Sequence, residues 1–583
     1  MGPGTILRLG ARGLGTARRA VIATAGATQA VPVHTVRAAR FTLAHPGSIV
    51  GAARGVACSG IVPPLRPDLT LRQLEALRRD GLGLTGVMAA ASALSPDALA
   101  VIDDEGPWSR RELTDDARRL AAALSDLGVG CGDRVGIGCR NHVGFVVALL
   151  ALARLGADAV LLNTGAGPEQ IARVVSAQRI RLLIADADLD LPPLPTDVRL
   201  ITAWPGGNPV GPTLRSLIEG VRADRDVRRP DRAGRLIVLT SGTTGTPKGA
   251  ARPEPSIVAG LIAVSGLLGR VPLRAGQLTA IPAPLFHAWG LGGLQLALAG
   301  RAPVLLSRHF DAEAMFAAIE AHRVRQLFAV PVMLNRMLAL PEQTRLAYDT
   351  SSVRLIVSSG SALLPRTVHG VTEQFGPVLH NLYGSTESSW VSIAGPRDLA
   401  ADPGTAGKPP LATRLRILDD AGAECPAGAV GRIFVGHAML FSGYWESPDG
   451  DGAPTEGLMA TGDLGHLDAD GRLFVDGRED DLVVCGGENV FCREVADVIA
   501  AVPGVLDAAV VGVPDLEFGQ RLAAFVVIAP GSPISADDVR LVVRTRLARH
   551  AVPREVTFLD ELPRNAAAKL HPRHLRSSIG TVP

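Results

Sequence analysis

Leu236-Ile-Val-Leu-Thr240-Ser-Gly-Thr-Thr-Gly-Thr-Pro-Lys-Gly249 is the stretch on which the reading of this 583-residue chain turns. Its apolar start reads as a short buried strand. Gly242, Gly245 and Gly249 then let the backbone approach an anion closely. The hydroxyls of Ser241, Thr243, Thr244 and Thr246 can donate to phosphate oxygens, and Lys248 adds a positive charge. A Walker A loop, G-x-x-x-x-G-K-[ST], fails here. Counted from Gly242, the second glycine position holds Pro247, and Gly249 replaces the hydroxyl that would ligate magnesium. The stretch is a phosphate-holding loop of another kind.

Two further apolar runs end in the same way. Val353–Val357 leads into Ser358-Ser-Gly360-Ser361, and Val378–Leu382 leads into Tyr383-Gly384-Ser385-Thr386-Glu387. Ligands of α/β sheets sit at the carboxyl ends of strands, so the three turns are candidates for one shared site. Upstream, Pro96–Asp104 reads as strand and turn. Ser109 and Glu112 then form a capping-box pattern before Leu113, Ala117, Leu120, Ala121 and Leu124 at helical spacing, with Gly128 to end the helix. Strands at Arg134–Ile137, Val160–Leu162 and Leu182–Ile184 keep alternating with helices, which argues for parallel α/β architecture. Gly144–Leu162, though apolar, carries Arg154 and Asp158 and reads as a buried helix leading into a strand, not a membrane span. His466–Gly477 fails as a calcium loop at its first and twelfth ligand positions and reads as a hairpin turn.

Past Gly477 the pattern changes to strands Ala508–Val511 and Ala523–Ile528 with helices Glu494–Ala501 and Ala536–His550. The expected fold class is α/β. A large N-terminal multi-subdomain region with parallel sheets (86–479) is followed by a small mobile α+β domain (480–583) and preceded by an Arg-rich extension (1–85).

Composition agrees with a globular protein of two or more domains: 47% hydrophobic, 20% charged, net charge +2. Nothing in that balance suggests nucleic acid as a partner. The six cysteines show neither Cys-x-x-Cys nor zinc-ligand spacing, which fits reduced thiols in a cytosolic protein. Of 59 basic residues only Lys248, Lys408 and Lys569 are lysine. Where charge alone is wanted the chain uses arginine, so each lysine stands out for its compact ammonium. The first 67 residues hold eight arginines and no acid. Such a segment suits a transit peptide, a peripheral contact with an anionic membrane, or a separately packed extension. The expected location is cytoplasmic, with the extension as the means of any membrane association.

The Thr240–Gly249 decapeptide resembles the signature of the adenylate-forming (AMP-binding) superfamily, which includes acyl-CoA synthetases, luciferases and peptide-synthetase adenylation domains. Tyr383–Glu387 resembles that family's second signature and Thr461-Gly-Asp463 its third. Gly477-Arg478 with Asp480-Asp481 is similar to the hinge, and Gly486-Gly487-Glu488-Asn489 to the loop after it. Pro563-Arg-Asn565 with Lys569 is similar to the C-terminal lysine motif. Order and spacing fit over about residues 88–576; the extension is not covered.

The resemblance implies ATP, Mg²⁺ and CoA as cofactors and a role for each matched residue. Tyr383 would lie against adenine, with Gly360, Ser361, Gly384 and Ser385 in the same region, and Thr386 would contact the α-phosphate. Glu387 would help hold Mg²⁺. Asp463 would accept from both ribose hydroxyls, with Arg478 also reaching the ribose. Thr240–Gly245 and Lys248 would grip pyrophosphate. Lys569 would bridge the attacking carboxylate and the α-phosphate, a contact worth roughly 3–4 kcal/mol in the transition state. Rotation about Asp480 would then replace Lys569 with the Gly486–Glu488 loop for thioester formation. The motif departs from the family at Ala567-Ala568, where Thr-Gly is usual. His287 and Trp289, in Pro284-Leu-Phe-His-Ala-Trp-Gly290, border the family's acyl pocket. His287 reads equally as a gate or carboxylate contact and as a packed core histidine. Gly290, Gly292 and Gly293 either leave room for a chain or let helices pack closely.

The fatty-acid branch is the expected one, on Met439–Asp449 and the Gly486–Val490 loop, with a medium- or long-chain acid as substrate. The alternatives are a fatty acyl-AMP ligase that loads a carrier protein, and a non-catalytic protein that binds nucleotide or acyl-adenylate.

Overall fold

The computed structural model describes residues 59–60, 71–72, 75–76 and 84–575, except 205, 207–210, 223–224, 228–229, 231, 241–247, 252–256, 441–442, 445–456, 480–481, 486–487, 516–518, 548–550, 565–569 and 571–574. Two mainly parallel sheets form the large region. In the eight-stranded sheet, Ser392–Ala394, Leu379–Tyr383, Leu355–Ser358, Gln326–Ala329, Thr279–Ala280, Val304–Leu305, Leu99–Asp103 and Gly106–Ser109 lie side by side. In the seven-stranded sheet the order is Gly443–Tyr444, Lys248–Ala251, Leu236–Thr240, Asp158–Leu161, Arg134–Gly138, Leu182–Ala185 and Arg199–Thr202. A third sheet is antiparallel and runs through Arg414–Leu418, Gly431–Gly436, Met459–Leu467 and Leu473–Arg478.

Local signals explain the elements. Ser109 Oγ accepts from the Glu112 amide at 3.2 Å, and Glu112 accepts from the Ser109 amide at 2.7 Å. That reciprocal cap starts helix Arg110–Asp126, whose Leu113, Ala117, Leu120, Ala121 and Leu124 are all buried. Each fully buried leucine contributes about 2 kcal/mol. Helix Val143–Leu155 is buried on almost every side and runs between the sheets to strand Asp158–Leu161, as its apolar sequence implied. Among the described residues no helix is long and apolar enough to cross a membrane. The expected division at residue 85 falls inside helix Leu84–Leu94. Ser59 and Gly60 already touch the body: the Ala275 amide donates to Ser59 at 2.6 Å and Arg301 donates to Gly60 at 2.6 Å.

The C-terminal unit has its own sheet, with Glu488–Phe491, Leu482–Cys485, Gly519–Ile528 and Val505–Asp515 in order and Glu555–Phe558 parallel to Gly519–Ile528. Its core of Val495, Ile499, Leu522, Val526, Val539 and Val543 is separate from those of the large region. The two long strands exceed the stretches expected from sequence, because their pairing continues from Val505–Ile528 to Asp515–Gly519. Helix Ala536–Arg546 is shorter than expected.

The two large sheets are joined by buried charge. Asp186, 1% exposed, follows strand Leu182–Ala185 and accepts from the Arg140 amide at 2.9 Å and from His142 Nε2 at 2.8 Å. His142 Nδ1 accepts from the Gly144 amide at 3.1 Å, so Nε2 carries the proton. Arg308 crosses from the end of Val304–Leu305 in the other sheet, bonds Asp188 at 2.8 Å and lies 3.8 Å from Asp186. Burial first, and then Asp186, pushes the Cys139 thiol up. Cys139, His142 and Asp186 have metal-ligand chemistry, but both imidazole nitrogens are engaged, so the cluster is structural. Breaking a buried pair costs about 3–5 kcal/mol. Asp186→Ala is therefore expected to lower unfolding free energy by that order in urea denaturation, with the effect on Asp188→Ala much smaller.

Candidate functional site

Strands Leu355–Ser358 and Leu379–Tyr383 are parallel neighbours, with Ser358 opposite Asn381. Two of the three glycine turns expected to share a site therefore do leave one sheet edge. The third does not leave the same sheet: Leu236–Thr240 belongs to the seven-stranded one. It also returns as an antiparallel strand, with Thr240 opposite Lys248. The chain thus passes from strand to strand through this loop, whereas a Walker A loop opens a helix, as its sequence mismatch implied.

Tyr383 ends its strand, and its hydroxyl donates to Asp463 Oδ2. The same hydroxyl lies 3.4 Å from Thr461 Oγ1. Two segments eighty residues apart in sequence thereby meet. Asp463 lies on strand Met459–Leu467 opposite Arg478, whose Nη1 is 3.7 Å from Oδ1. Thr461 fixes this strand by donating to Ile433 at 3.1 Å and accepting from the Asp463 amide at 3.2 Å. Gly462 takes φ +74°, and a Cβ there would press on the Arg478 guanidinium at 3.2 Å. Burial, reinforced by the Asp463 carboxylate, pushes the Tyr383 phenol well above its ordinary value. It is a hydrogen-bond donor at physiological pH, and Asp463 an acceptor 15% exposed at the rim.

The Gly384–Glu387 turn is tightly folded. A Cβ on Gly384 would meet the Ser389 carbonyl at 2.5 Å, so glycine is required. The Ser385 amide donates to Ser388 Oγ at 2.8 Å and Ser388 returns its amide to Ser385 Oγ at 3.1 Å. Thr386 and Glu387 sit half-buried on this turn. Behind it stands His437, which sequence reasoning did not single out. Its Nδ1 accepts from the Met439 amide at 3.0 Å, so Nε2 donates, to Ser388 at 2.8 Å and Trp390 at 2.9 Å. Its ring stacks on Trp390 at 5.2 Å. A lone histidine fifty residues downstream carries no local signal of such a brace.

Gly360 and the exposed Ser361 follow strand Leu355–Ser358, Gly360 at φ +97°. His287 precedes helix Ala288–Ala299 and packs on Phe286, ring centroids 4.3 Å apart. Trp289 Nε1 donates to Ala329 at 3.0 Å, and Ala329 pairs with Ser358. The start of this helix therefore lies at the same strand ends as Gly360 and Tyr383. The glycine ambiguity resolves by position. A Cβ on Gly290 would meet the Pro284 carbonyl at 2.3 Å and one on Gly293 would meet Phe328 at 2.9 Å, so both serve close packing. Gly292 alone of the three faces open space. Ser241, Gly242, Thr243, Thr244, Gly245, Asp480, Gly486, Gly487 and Lys569 lie outside the described residues. Thr240, Lys248 and Glu488 are placed only by their backbones, in strands.

A partly buried acceptor carboxylate beside a donor phenol, at the carboxyl end of a strand that finishes in a glycine turn, suits a nucleoside. Comparison with known proteins agrees. Residues 88–445 match the family model of the AMP-binding enzymes and residues 494–569 that of the AMP-binding enzyme C-terminal domain. The chain belongs to this adenylate-forming family.

It is similar to an indoleacetate–CoA ligase of Aromatoleum aromaticum, 33% identical over 84% of this chain and 96% of that protein. A 2-succinylbenzoate–CoA ligase of Bacillus cereus is 30% identical over 83% and 96%. Among solved structures it is similar to the amide bond synthetase McbA of Marinactinospora thermotolerans (TM-score 0.72, 27% identity, 87% of this chain and 100% of that one). The o-succinylbenzoate-CoA synthetase MenE of Bacillus subtilis with its acyl-adenylate gives a TM-score of 0.72 at 26% identity over 84% and 97%. Adenylate-forming CoA ligases use ATP, Mg²⁺ and CoA.

Charge-assisted hydrogen bonds contribute about 1.5–3 kcal/mol each. In the ribose-binding role that the resemblance implies, Asp463→Ala is expected to raise the Kd for ATP by roughly tenfold or more, since about 1.4 kcal/mol is a factor of ten; calorimetric titration checks it. A second expectation concerns pH. Burial lowers the His380 imidazole to about 4 from an ordinary 6.5. The unfolded chain then binds more protons between these values, so stability falls as pH drops through that window, by roughly 3 kcal/mol at most. Replacing His380 with Gln should flatten the slope of unfolding free energy against pH there.

Proposed function

We propose that this protein is an acid–CoA ligase that makes an acyl-adenylate at the Tyr383–Asp463 site and then passes the acyl group to the thiol of CoA. The contact between the Tyr383 phenol and the Asp463 carboxylate carries the reading. It joins two of the matched signatures into one pocket rim, with the half-buried Thr386 and Glu387 on the adjoining turn.

In the first step the substrate carboxylate oxygen attacks the α-phosphorus of ATP and the bond to pyrophosphate breaks. In the second the sulfur of CoA attacks the acyl carbon and AMP leaves. Asp463 accepts from the ribose hydroxyls, and Tyr383 lies against the adenine. Thr386 donates to the α-phosphate, and the 240–248 loop holds the departing pyrophosphate. Lys569 bridges carboxylate and phosphate oxygens as negative charge builds on them. Mg²⁺, held with the help of Glu387, neutralises phosphate charge when bound. The part from Asp480 onward then turns, so that Lys569 leaves and the Gly486–Glu488 loop takes its place. That movement separates water-sensitive chemistry from thiol entry.

The acid is aromatic on this reading, in place of the medium- or long-chain fatty acid expected from Met439–Asp449 and the Gly486–Val490 loop. The relatives are named for indoleacetate, ferulate and succinylbenzoate. Of the three glycines that could have admitted a chain, Gly290 and Gly293 serve close packing and Gly292 alone faces open space. His287 and Trp289 then border the acid.

The test is thioester formation, read by mass, from ATP, CoA and a panel of aryl-acetic, cinnamic and C6–C16 fatty acids. Aromatic acids are expected to lead. Preference for a long fatty acid would overturn the aromatic assignment, and no product with any acid would favour a non-catalytic binder. Lys569→Ala is expected to cut adenylate formation by about 10²–10³ and to leave thioester formation from a supplied acyl-adenylate intact. Equal loss of both steps would contradict the alternation of the C-terminal part.

A further inference from the structure

Helix Pro365–Phe375 belongs to the large region, and helix Cys492–Ala500 to the C-terminal unit. Arg366, in the first turn of the former, spans the gap. Its Nη1 donates to the carbonyls of Ala500 at 2.7 Å and Val505 at 3.1 Å, and its Nη2 to that of Leu506 at 2.8 Å. Ala500 is the last residue of its helix, where carbonyls have no intrahelical partner and the helix dipole is negative. One planar guanidinium thus closes a helix end and the turn after it from across the interface.

Burial works against this cation, and two carboxylates offset part of the cost. Asp497 and Asp507 lie close enough to Arg366 to raise the pKa that burial lowers. Asp507 in turn pairs with Arg564 Nη2 at 2.5 Å. Arg564 opens the segment that leads to Lys569. A continuous polar path therefore runs from Arg366 through Leu506 and Asp507 to the root of the lysine segment.

We propose that Arg366 is an interdomain latch, a positioning residue that holds the C-terminal unit in the orientation seen here and so sets how the enzyme divides its time between the two half-reactions. This rests on the alternation proposed above. Turning the unit about Asp480 carries the end of helix Cys492–Ala500 away from Arg366 and breaks all three bonds. The strength of the latch enters the equilibrium between the two orientations directly. Arg366 lies outside the nucleotide rim, so its loss changes populations and not the affinity of the assembled site.

The experiment measures both half-reactions separately in the full-length protein, on Arg366→Gln and Arg366→Lys. One is adenylate formation from acid and ATP; the other is thioester formation from supplied acyl-adenylate and CoA. Arg366→Gln is expected to shift the ratio of the two rates by about tenfold, in line with the loss of bonds from a charged donor, with KM for ATP unchanged. Arg366→Lys keeps a cation for the helix end and should recover part of the shift. It also serves if the glutamine variant fails to fold. Equal loss in both steps, or no change in either, overturns the latch. Small-angle scattering of the substrate-free protein gives a reading that needs no activity. The wild type should show one interdomain arrangement and Arg366→Gln a mixture. Matching profiles overturn the latch even if no acid proves to be a substrate.

Discussion

The Tyr383 phenol donates to the Asp463 carboxylate, and the architecture around the candidate site hangs on that bond. Tyr383 ends a strand of the eight-stranded sheet, and Asp463 lies in the antiparallel sheet. Neither group would be satisfied there alone. A buried phenol needs an acceptor, and a carboxylate 15% exposed needs a donor. Each satisfies the other and leaves one carboxylate oxygen toward the rim, where Arg478 approaches. His437 does the same service for the turn behind, through two carbonyls and a stacked Trp390.

The sheets and the C-terminal unit are joined by different kinds of contact. Between the two large sheets, Asp186 and Arg308 meet where water is excluded, and separation would strand buried charge. At the C-terminal unit, Arg366 bonds backbone carbonyls at a half-buried seam, and water can replace it there. The first contact resists opening strongly, the second modestly. That contrast suits a rigid platform carrying a part that turns, on the function proposed here.

Much of this was legible in the sequence, for local reasons. The Ser109–Glu112 cap, the buried helix Val143–Leu155 and the apolar strands are set by neighbours a few residues apart. Tyr383, Thr461 and Asp463 were legible because each sits in its own short signature, although that two of these signatures touch follows only from the fold. His437, Arg366 and the Asp186–His142–Arg308 cluster were not legible. Each works through partners from 44 to 140 residues away, and a single arginine or histidine carries no pattern. The three glycine turns were legible one by one, but not the sheets they leave. A strand's end is a local property, but the sheet it joins is decided by crossovers, and Leu236–Thr240 went to the other sheet. Gly290 and Gly293 could be assigned only once Pro284 and Phe328 were seen against them.

Adenylate chemistry is the central claim, and isotope exchange reads it most directly. Labelled pyrophosphate is incubated with the protein, ATP, Mg²⁺ and an aromatic acid, with no CoA present. The account predicts label in ATP that depends on the acid and is lost in the Asp463→Ala protein at low ATP. Exchange that requires CoA, or proceeds equally without any acid, would contradict it.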